Sequence, residues 1–139
     1  MKHHIQNSSL LEHLDTSNLL SDNSSFIEFG SGRGALSYWL TKALSNPGSC
    51  DLILVDKASP RHKLDTRLRY EAGDDQSISV TRLRLDIGDL DLSGVLTSDT
   101  TDDDEALTSN NDQKKIVGVS KHLCGAATDL TLRYNVKQD

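Results

Sequence analysis

Short apolar runs separated by polar stretches divide this chain into alternating segments. Residues 52–55 and 116–119 are continuous apolar runs, which are typical of strands buried on both faces of a sheet. Residues 26–29 predict a further strand, and residues 78–85, where apolar positions alternate imperfectly, predict another. The pattern therefore predicts four short strands, each followed by a polar or glycine-rich connection.

Helical spacing occurs before, between and after these strands. Three leucines lie on one face of a helix predicted over residues 35–44, and Pro60 can open a helix over residues 61–70. Residues 1–20 have a weaker helical spacing, and residues 126–134 predict a last helix. This alternation predicts an α/β fold, in which flanking helices cover a mostly parallel sheet with right-handed crossovers.

The chain of 139 residues is long enough for one domain with a modest core. We expect an N-terminal helical and polar segment over residues 1–25, followed by the α/β domain over residues 26–139. Residues 88–113 are rich in Asp, Ser, Thr and Asn, so they cannot bury enough apolar surface to pack. We therefore predict a disordered acidic insertion at about residues 94–114 of the domain.

The formal net charge is −6, which is not typical of a nucleic-acid-binding chain, but the charges are uneven. Acidic residues gather in the predicted insertion, whereas basic residues gather around the helix predicted over residues 61–70, where they could contact phosphates. The predicted phosphate contacts are Arg61, Lys63, Arg67 and Arg69, supported by Arg82 and Arg84 on the next strand. The alternative is a solvated helix face. No aromatic residue interleaves with the cluster, which argues against base stacking.

Cysteine and histidine usage gives no sign of a cross-linked or metal-bound protein. Cys50 and Cys124 lack a paired spacing, so we predict neither a disulfide framework nor a zinc knuckle, and no metal site. No apolar run is long enough to span a membrane, and the N-terminus has no signal-peptide core. We expect a soluble intracellular protein, cytoplasmic or nuclear; the oligomeric state does not follow from the sequence.

The most informative segment is Glu-Phe-Gly-Ser-Gly-Arg-Gly at residues 28–34, between a strand and a helix. Gly30, Gly32 and Gly34 allow a tight turn, and the helix N-terminus offers N–H groups to an anionic group. The segment also fits a loose dinucleotide-binding pattern, in which that group is a pyrophosphate, and a purely structural glycine turn is a further alternative. Glu28 argues for a methyltransferase instead, because a carboxylate would repel a pyrophosphate and suits a cationic amino group or sulfonium.

Polar residues follow the other three strands, and ligands of open parallel sheets bind outside the strand ends. We predict that Asp56 binds ribose hydroxyls and that Asp86 and Ile87 contact an adenine; the alternative for each aspartate is an ordinary strand-end residue. Lys121 and His122 follow the fourth strand. Either can orient or deprotonate a nucleophile.

Residues 120–133 read S-K-H-L-C-G-A-A-T-D-L-T-L-R. This stretch resembles the S-K-H-L-C-G-x-A-T-D-L-x-L-R signature of the eukaryotic tRNA 2′-O-methyltransferases that modify position four of the acceptor stem. Residues 26–34, 55–57 and 85–87 resemble the family's cofactor-binding regions. The resemblance covers most of the chain apart from the acidic segment.

The resemblance implies a class I (Rossmann-like) methyltransferase domain that uses S-adenosylmethionine as cofactor and tRNA as partner. Lys121 or His122 would then take the proton of a ribose 2′-hydroxyl, and Arg133 joins the predicted RNA contacts. The family's zinc modules and later strands are missing from this sequence, so we expect an incomplete domain. Two alternatives stay open: a truncated, non-catalytic protein that binds cofactor or a partner chain, and a nicotinamide-dependent oxidoreductase.

Overall fold

A computed structural model of the chain describes residues 2–61, 63–70, 78–91, 114–123 and 128–129. Its sheet contains β1 (Ser24–Phe29), β2 (Asp51–Val55), β3 (Ser79–Leu83) and β4 (Lys115–Val119). The strand order is β3-β2-β1-β4, and every neighbouring pair is parallel. The carboxyl ends of all four strands therefore meet at one edge of the sheet, which is where ligands of such sheets bind.

Three helices accompany the sheet: α1 (Lys2–Thr16), α2 (Ala35–Ala43) and α3 (Asp65–Tyr70). Short 3₁₀ turns occur at Pro47–Ser49 and Ile87–Asp89. The first follows α2, where a proline stops the helix and turns the chain towards β2. None of the helices within the described ranges has both the length and the apolar character that a membrane crossing needs.

The core has one layer on each face of the sheet, because successive side chains of a strand point to opposite faces. Phe26 and Leu52 lie on the first face with the buried leucines of α2, and α1 adds partly buried leucines to the same layer. Ile27 and Val55 lie on the second face, where the segment after β3 packs on them. The long apolar runs of β1 and β2 follow from this burial on both sides.

The structure confirms the predicted α/β fold with a parallel sheet and flanking helices. The helix predicted over residues 61–70, however, is α3 and begins at Asp65, because the preceding backbone makes another contact: the Leu64 N–H donates to the Arg33 carbonyl at 3.0 Å. β1 begins at Ser24, within the segment predicted as N-terminal.

Several predictions fall wholly or mostly outside the described residues. The predicted insertion at about 94–114 is described only at Lys114, which precedes β4. The predicted helix over 126–134 is described only at residues 128–129, which are helical, and Arg133 is not among the described residues.

Candidate functional site

The glycine-rich turn between β1 and α2 is built from residues with positive φ. These angles are 66° at Gly30, 50° at Gly32 and 84° at Gly34, a region that L side chains rarely adopt. A Cβ at Gly34 would lie 3.3 Å from a Leu54 methyl group and 3.5 Å from the Arg82 guanidinium. The turn therefore uses glycine both for its backbone conformation and for close packing on β2 and β3.

Glu28 lies in β1, directly before this turn, and is only 4% exposed. Its carboxylate accepts hydrogen bonds from the backbone N–H of Ser37, at 3.0 Å, and from the Ser37 hydroxyl. Ser37 is in the first turn of α2, whose N–H groups have no partner within the helix. The Glu28 side chain thus holds the start of α2 from inside the core.

The environment of Glu28 also changes its protonation. Burial raises its pKa from 4.5 to about 7, although the hydrogen bonds from Ser37 and the charges of Arg82 and Lys121 act in the opposite direction. A substantial fraction of Glu28 is therefore uncharged near neutral pH. The predicted contact of Glu28 with a cofactor stays a prediction, since its carboxylate faces α2.

Asp56, at the end of β2, connects that strand to the glycine turn. One carboxylate oxygen accepts from the Gly32 N–H at 2.7 Å, and the other accepts from the Ala58 N–H at 2.8 Å. Each oxygen retains a further lone pair, so hydroxyl groups can still donate to it. The structure thus places the predicted ribose-binding carboxylate directly at the predicted cofactor turn.

Asp86 follows β3 and lies farther along the same edge. It accepts from the Gly88 N–H at 3.0 Å and pairs with Lys57 at 3.4 Å. The Gly88 N–H, and then Lys57, lower the pKa of Asp86. Ile87, predicted to pack on an adenine, is 9% exposed and belongs to the second face of the core with Val55.

Arg82 has a structural role that sequence reasoning missed. It forms a bidentate pair with Asp65, with both nitrogen–oxygen distances at 2.7 Å. Its third nitrogen donates to the Gly32 carbonyl at 2.8 Å and to the Ser31 hydroxyl at 3.3 Å. This hydrogen-bonded pair lowers the pKa of Asp65 and ties α3 to the glycine turn.

The prediction that Arg82 supports phosphate binding treated it as part of an exposed basic cluster. A signal for the other role was present in the sequence. Val80 and Arg82 are two residues apart in a strand, so both point to the same face, and Val80 is in the core. An arginine on that face must find a carboxylate or carbonyl partner, as Arg82 does.

The segment after β4 forms the other side of the site. The Ser120 hydroxyl donates to the Phe29 carbonyl at 3.0 Å, which joins this segment to the end of β1. A Cβ at Gly30 would lie 3.4 Å from a Leu123 methyl group and 3.9 Å from the His122 carbonyl oxygen. The glycine turn and the segment carrying Lys121 and His122 are therefore in contact.

The two candidate catalytic residues have different surroundings. His122 is exposed, whereas the partly buried Lys121 donates from Nζ to the Asn7 side-chain oxygen at 2.8 Å. An open pocket of about 310 Å³ adjoins Lys121, and its lining also includes Phe29 and Ser120. A small group bound in this pocket would lie beside the Lys121 side chain.

The predicted phosphate-binding residues in the described part of the chain are exposed, but some make internal contacts. The Arg67 guanidinium lies 4.9 Å from the centre of the Tyr38 ring, and Arg69 donates to the Val80 carbonyl at 3.1 Å. Arg61 and Lys63 lie in the segment before α3. The fold thus brings an aromatic ring of α2 to the basic cluster, although no Phe, Trp or Tyr lies between Arg61 and Arg69 in the sequence. Among the described residues, no group of three His, Cys, Asp or Glu side chains could hold a metal ion.

Comparison with known proteins identifies the family. Residues 5–139 match the family model described as methyltransferase TRM13. The chain is 36% identical over 142 residues to the "tRNA:m(4)X modification enzyme TRM13" of Yarrowia lipolytica. The aligned region covers 95% of the chain and 28% of that protein.

Two further relatives carry the same description. The Homo sapiens homologue is 34% identical over 95% of the chain and 24% of its own length. The Saccharomyces cerevisiae enzyme is 34% identical over 95% of the chain and 30% of its own length. The chain thus spans about a quarter to a third of the length of these curated relatives. With nearly its whole length matched by the family model, the chain belongs to the methyltransferase TRM13 family.

Proposed function

We propose that this chain forms the donor-binding part of an S-adenosylmethionine-dependent tRNA 2′-O-methyltransferase that acts on the acceptor stem. Family membership supports methyl transfer, and the relatives' description as tRNA modification enzymes supports tRNA as the substrate. The observation that carries the proposal is the contact between the glycine turn, at Gly30, and the segment that contains Lys121 and His122.

The residues at the sheet edge fit S-adenosylmethionine. A Cβ at Gly32 would meet no atom within 4 Å, so a ligand can approach the turn closely at that position. The methionine carboxylate suits the N-terminus of α2, because the first N–H groups of a helix have no partner within the helix. Asp56 can accept from the ribose hydroxyls, and Asp86 can accept from the exocyclic amine of adenine. Ile87 would contact the adenine only through its small exposed surface.

Lys121 and His122 are proposed to act on the hydroxyl that receives the methyl group. S-adenosylmethionine supplies a methyl group activated by its sulfonium. The acceptor oxygen forms a bond to the methyl carbon as the carbon–sulfur bond breaks, and the hydroxyl proton must leave. The His122 imidazole or an uncharged Lys121 Nζ takes that proton, since an ammonium group has no lone pair to accept it. Both follow β4, within the segment that touches the turn.

The basic cluster supports contact with the tRNA stem. The exposed Arg61 and Lys63 precede α3, and the exposed Arg67 lies within it. The start of this helix is tied to the glycine turn through Leu64. A 2′-hydroxyl in an A-form stem lies in a wide, shallow groove, which proteins recognise by shape and phosphate contacts. Arginines at the edge of the donor site suit this recognition. Arg133 is proposed as a further contact.

Calorimetric titration tests the donor site, with Asp56→Asn as the variant and Asp51→Asn as its control at the opposite end of β2. We expect S-adenosylmethionine to bind the wild-type chain and Asp51→Asn equally, and to bind Asp56→Asn about tenfold more weakly, because hydrogen bonds to a charged acceptor are lost. Equal affinity of all three proteins would exclude Asp56 from the site.

Incubation of the chain with unmodified tRNA and labelled S-adenosylmethionine tests the reaction itself. After nuclease digestion, we expect the label in a nucleoside that is methylated on its ribose 2′-oxygen. A label on a base, or no transfer despite donor binding, would contradict the proposed reaction. The second result would instead support the non-catalytic alternative.

A further inference from the structure

Asn7 is an unusual residue for the middle of α1, because it is polar and only 3% exposed. Asparagine has a low helix propensity, and buried polar groups need hydrogen-bond partners. The side-chain oxygen of Asn7 accepts from Lys121 Nζ at 2.8 Å, across 114 positions of sequence. Helix α1 thus contacts Lys121, a candidate catalytic residue, directly.

The path of α1 explains how this contact arises. Lys115, at the start of β4, donates to the Asn18 carbonyl just after α1, at 3.0 Å. Lys121, just after β4, reaches Asn7 in the N-terminal half of α1. The helix therefore runs antiparallel to β4 along the edge of the sheet. Its partly buried leucines fix it to the first face of the core.

We propose that Asn7 is a positioning residue for methyl transfer, which holds Lys121 Nζ in the orientation that the reaction needs. This inference rests on the proposed function and extends its site to α1. A lysine side chain has a flexible four-carbon stem and a high rotamer entropy, so an unrestrained amine spends little time in one geometry. One N–H donated to Asn7 fixes the direction of the remaining positions on the nitrogen.

The location of the contact suits this role. The charge of Lys121 acts on the buried carboxyl of Glu28, so its amine lies near the β1 residue that precedes the glycine turn. Ser120, next in the chain, is anchored to the Phe29 carbonyl. The residue before Lys121 is thus anchored to β1, and the Lys121 amine is anchored to α1. A shift of about 1 Å in such a group can reduce a rate roughly 100-fold.

Three variants of the full chain test the inference. Asn7→Leu keeps the branched shape of the side chain but removes the acceptor, whereas Asn7→Gln keeps a neutral amide oxygen. Gln6→Leu makes the matched change at an exposed neighbour in α1. In steady-state methyl transfer to tRNA, we expect kcat to fall roughly 10- to 100-fold in Asn7→Leu, with unchanged KM for both substrates. Asn7→Gln should restore part of kcat, and Gln6→Leu should resemble wild type.

A Lys121→Ala background separates positioning from a general effect on folding. There, Asn7→Leu should reduce kcat no further, because the amine that it positions is absent. An equal further loss in this background would overturn the inference.

The wild-type measurement keeps this inference distinct from the proposed function. Transfer by wild type together with an unchanged kcat in Asn7→Leu would overturn the positioning role and leave the proposed function intact. No transfer by wild type would overturn the proposed function, and with it the positioning role that depends on it.

Discussion

Glu28 shows how one sequence position can fit two different roles, one in the fold and one in a binding site. Its position before the glycine turn suggested contact with a cationic ligand, but its carboxylate holds Ser37 at the start of α2. The sequence alone could not separate these roles, because both place an acidic residue at the end of β1. The distinction depends on the side chain's direction, which only packing against α2 determines.

Glu28→Gln should change how stability depends on pH. The pKa of Glu28 is raised from 4.5 to about 7, so between these pH values the folded chain holds a proton that the unfolded chain has released. The wild-type free energy of unfolding therefore loses a contribution as pH rises through this range. The free energy of unfolding of Glu28→Gln, minus that of wild type, should therefore rise by up to about 3 kcal/mol between acid and neutral pH.

Urea unfolding at several pH values measures this difference. Glu12→Gln, at an exposed position of α1, is the control and should follow the wild-type profile. Parallel pH profiles of Glu28→Gln and wild type would show that Glu28 does not titrate as described.

The glycines of the turn differ in what surrounds them, so an alanine should cost a different amount of stability at each. An alanine at Gly32 meets no neighbour within 4 Å, so it should cost about 1 to 2 kcal/mol of stability through its positive φ. Gly34→Ala also crowds Leu54, and we expect roughly 1 to 3 kcal/mol more. Thermal or urea unfolding compares them. Equal losses would contradict the close packing at Gly34.

At the scale of elements, the connections between strands and helices shape the site more than the strands themselves. Apolar runs at 52–55 and 116–119 predicted β2 and β4 closely, because burial on both faces leaves a clear pattern. The start of α3 was not predictable in the same way. Its first residues are set by the Leu64–Arg33 backbone hydrogen bond and by Arg82, which are long-range contacts with no local signal.

Arg82→Gln should loosen the glycine turn. The substitution leaves the Asp65 carboxylate without its bidentate partner and removes the donor to the Gly32 carbonyl, so we expect a loss of about 2 kcal/mol in stability. Hydrogen exchange of the Gly32 and Gly34 amides should accelerate at least tenfold. Arg84→Gln, at an exposed arginine near the end of the same strand, is the control. Unchanged exchange in Arg82→Gln would exclude this link.

At the scale of the whole molecule, strand order explains why residues far apart in sequence meet. In the order β3-β2-β1-β4, the ends of β1 and β4 are neighbours, so the glycine turn touches the segment that follows β4. The alternation of strands and helices predicted this meeting of strand ends. The contribution of α1 could not be predicted, since Asn7 gives no signal until the helix is packed beside β4.

In the proposed site, the turn holds a methyl donor whose reactive methyl group faces the segment after β4. The most direct test is an NMR measurement of S-adenosylmethionine, labelled with ¹³C at that methyl group and bound to the chain. We predict nuclear Overhauser effects from the methyl protons to side-chain protons of Lys121 or His122. Bound donor whose methyl group shows such effects only to residues outside the turn and this segment would contradict the account.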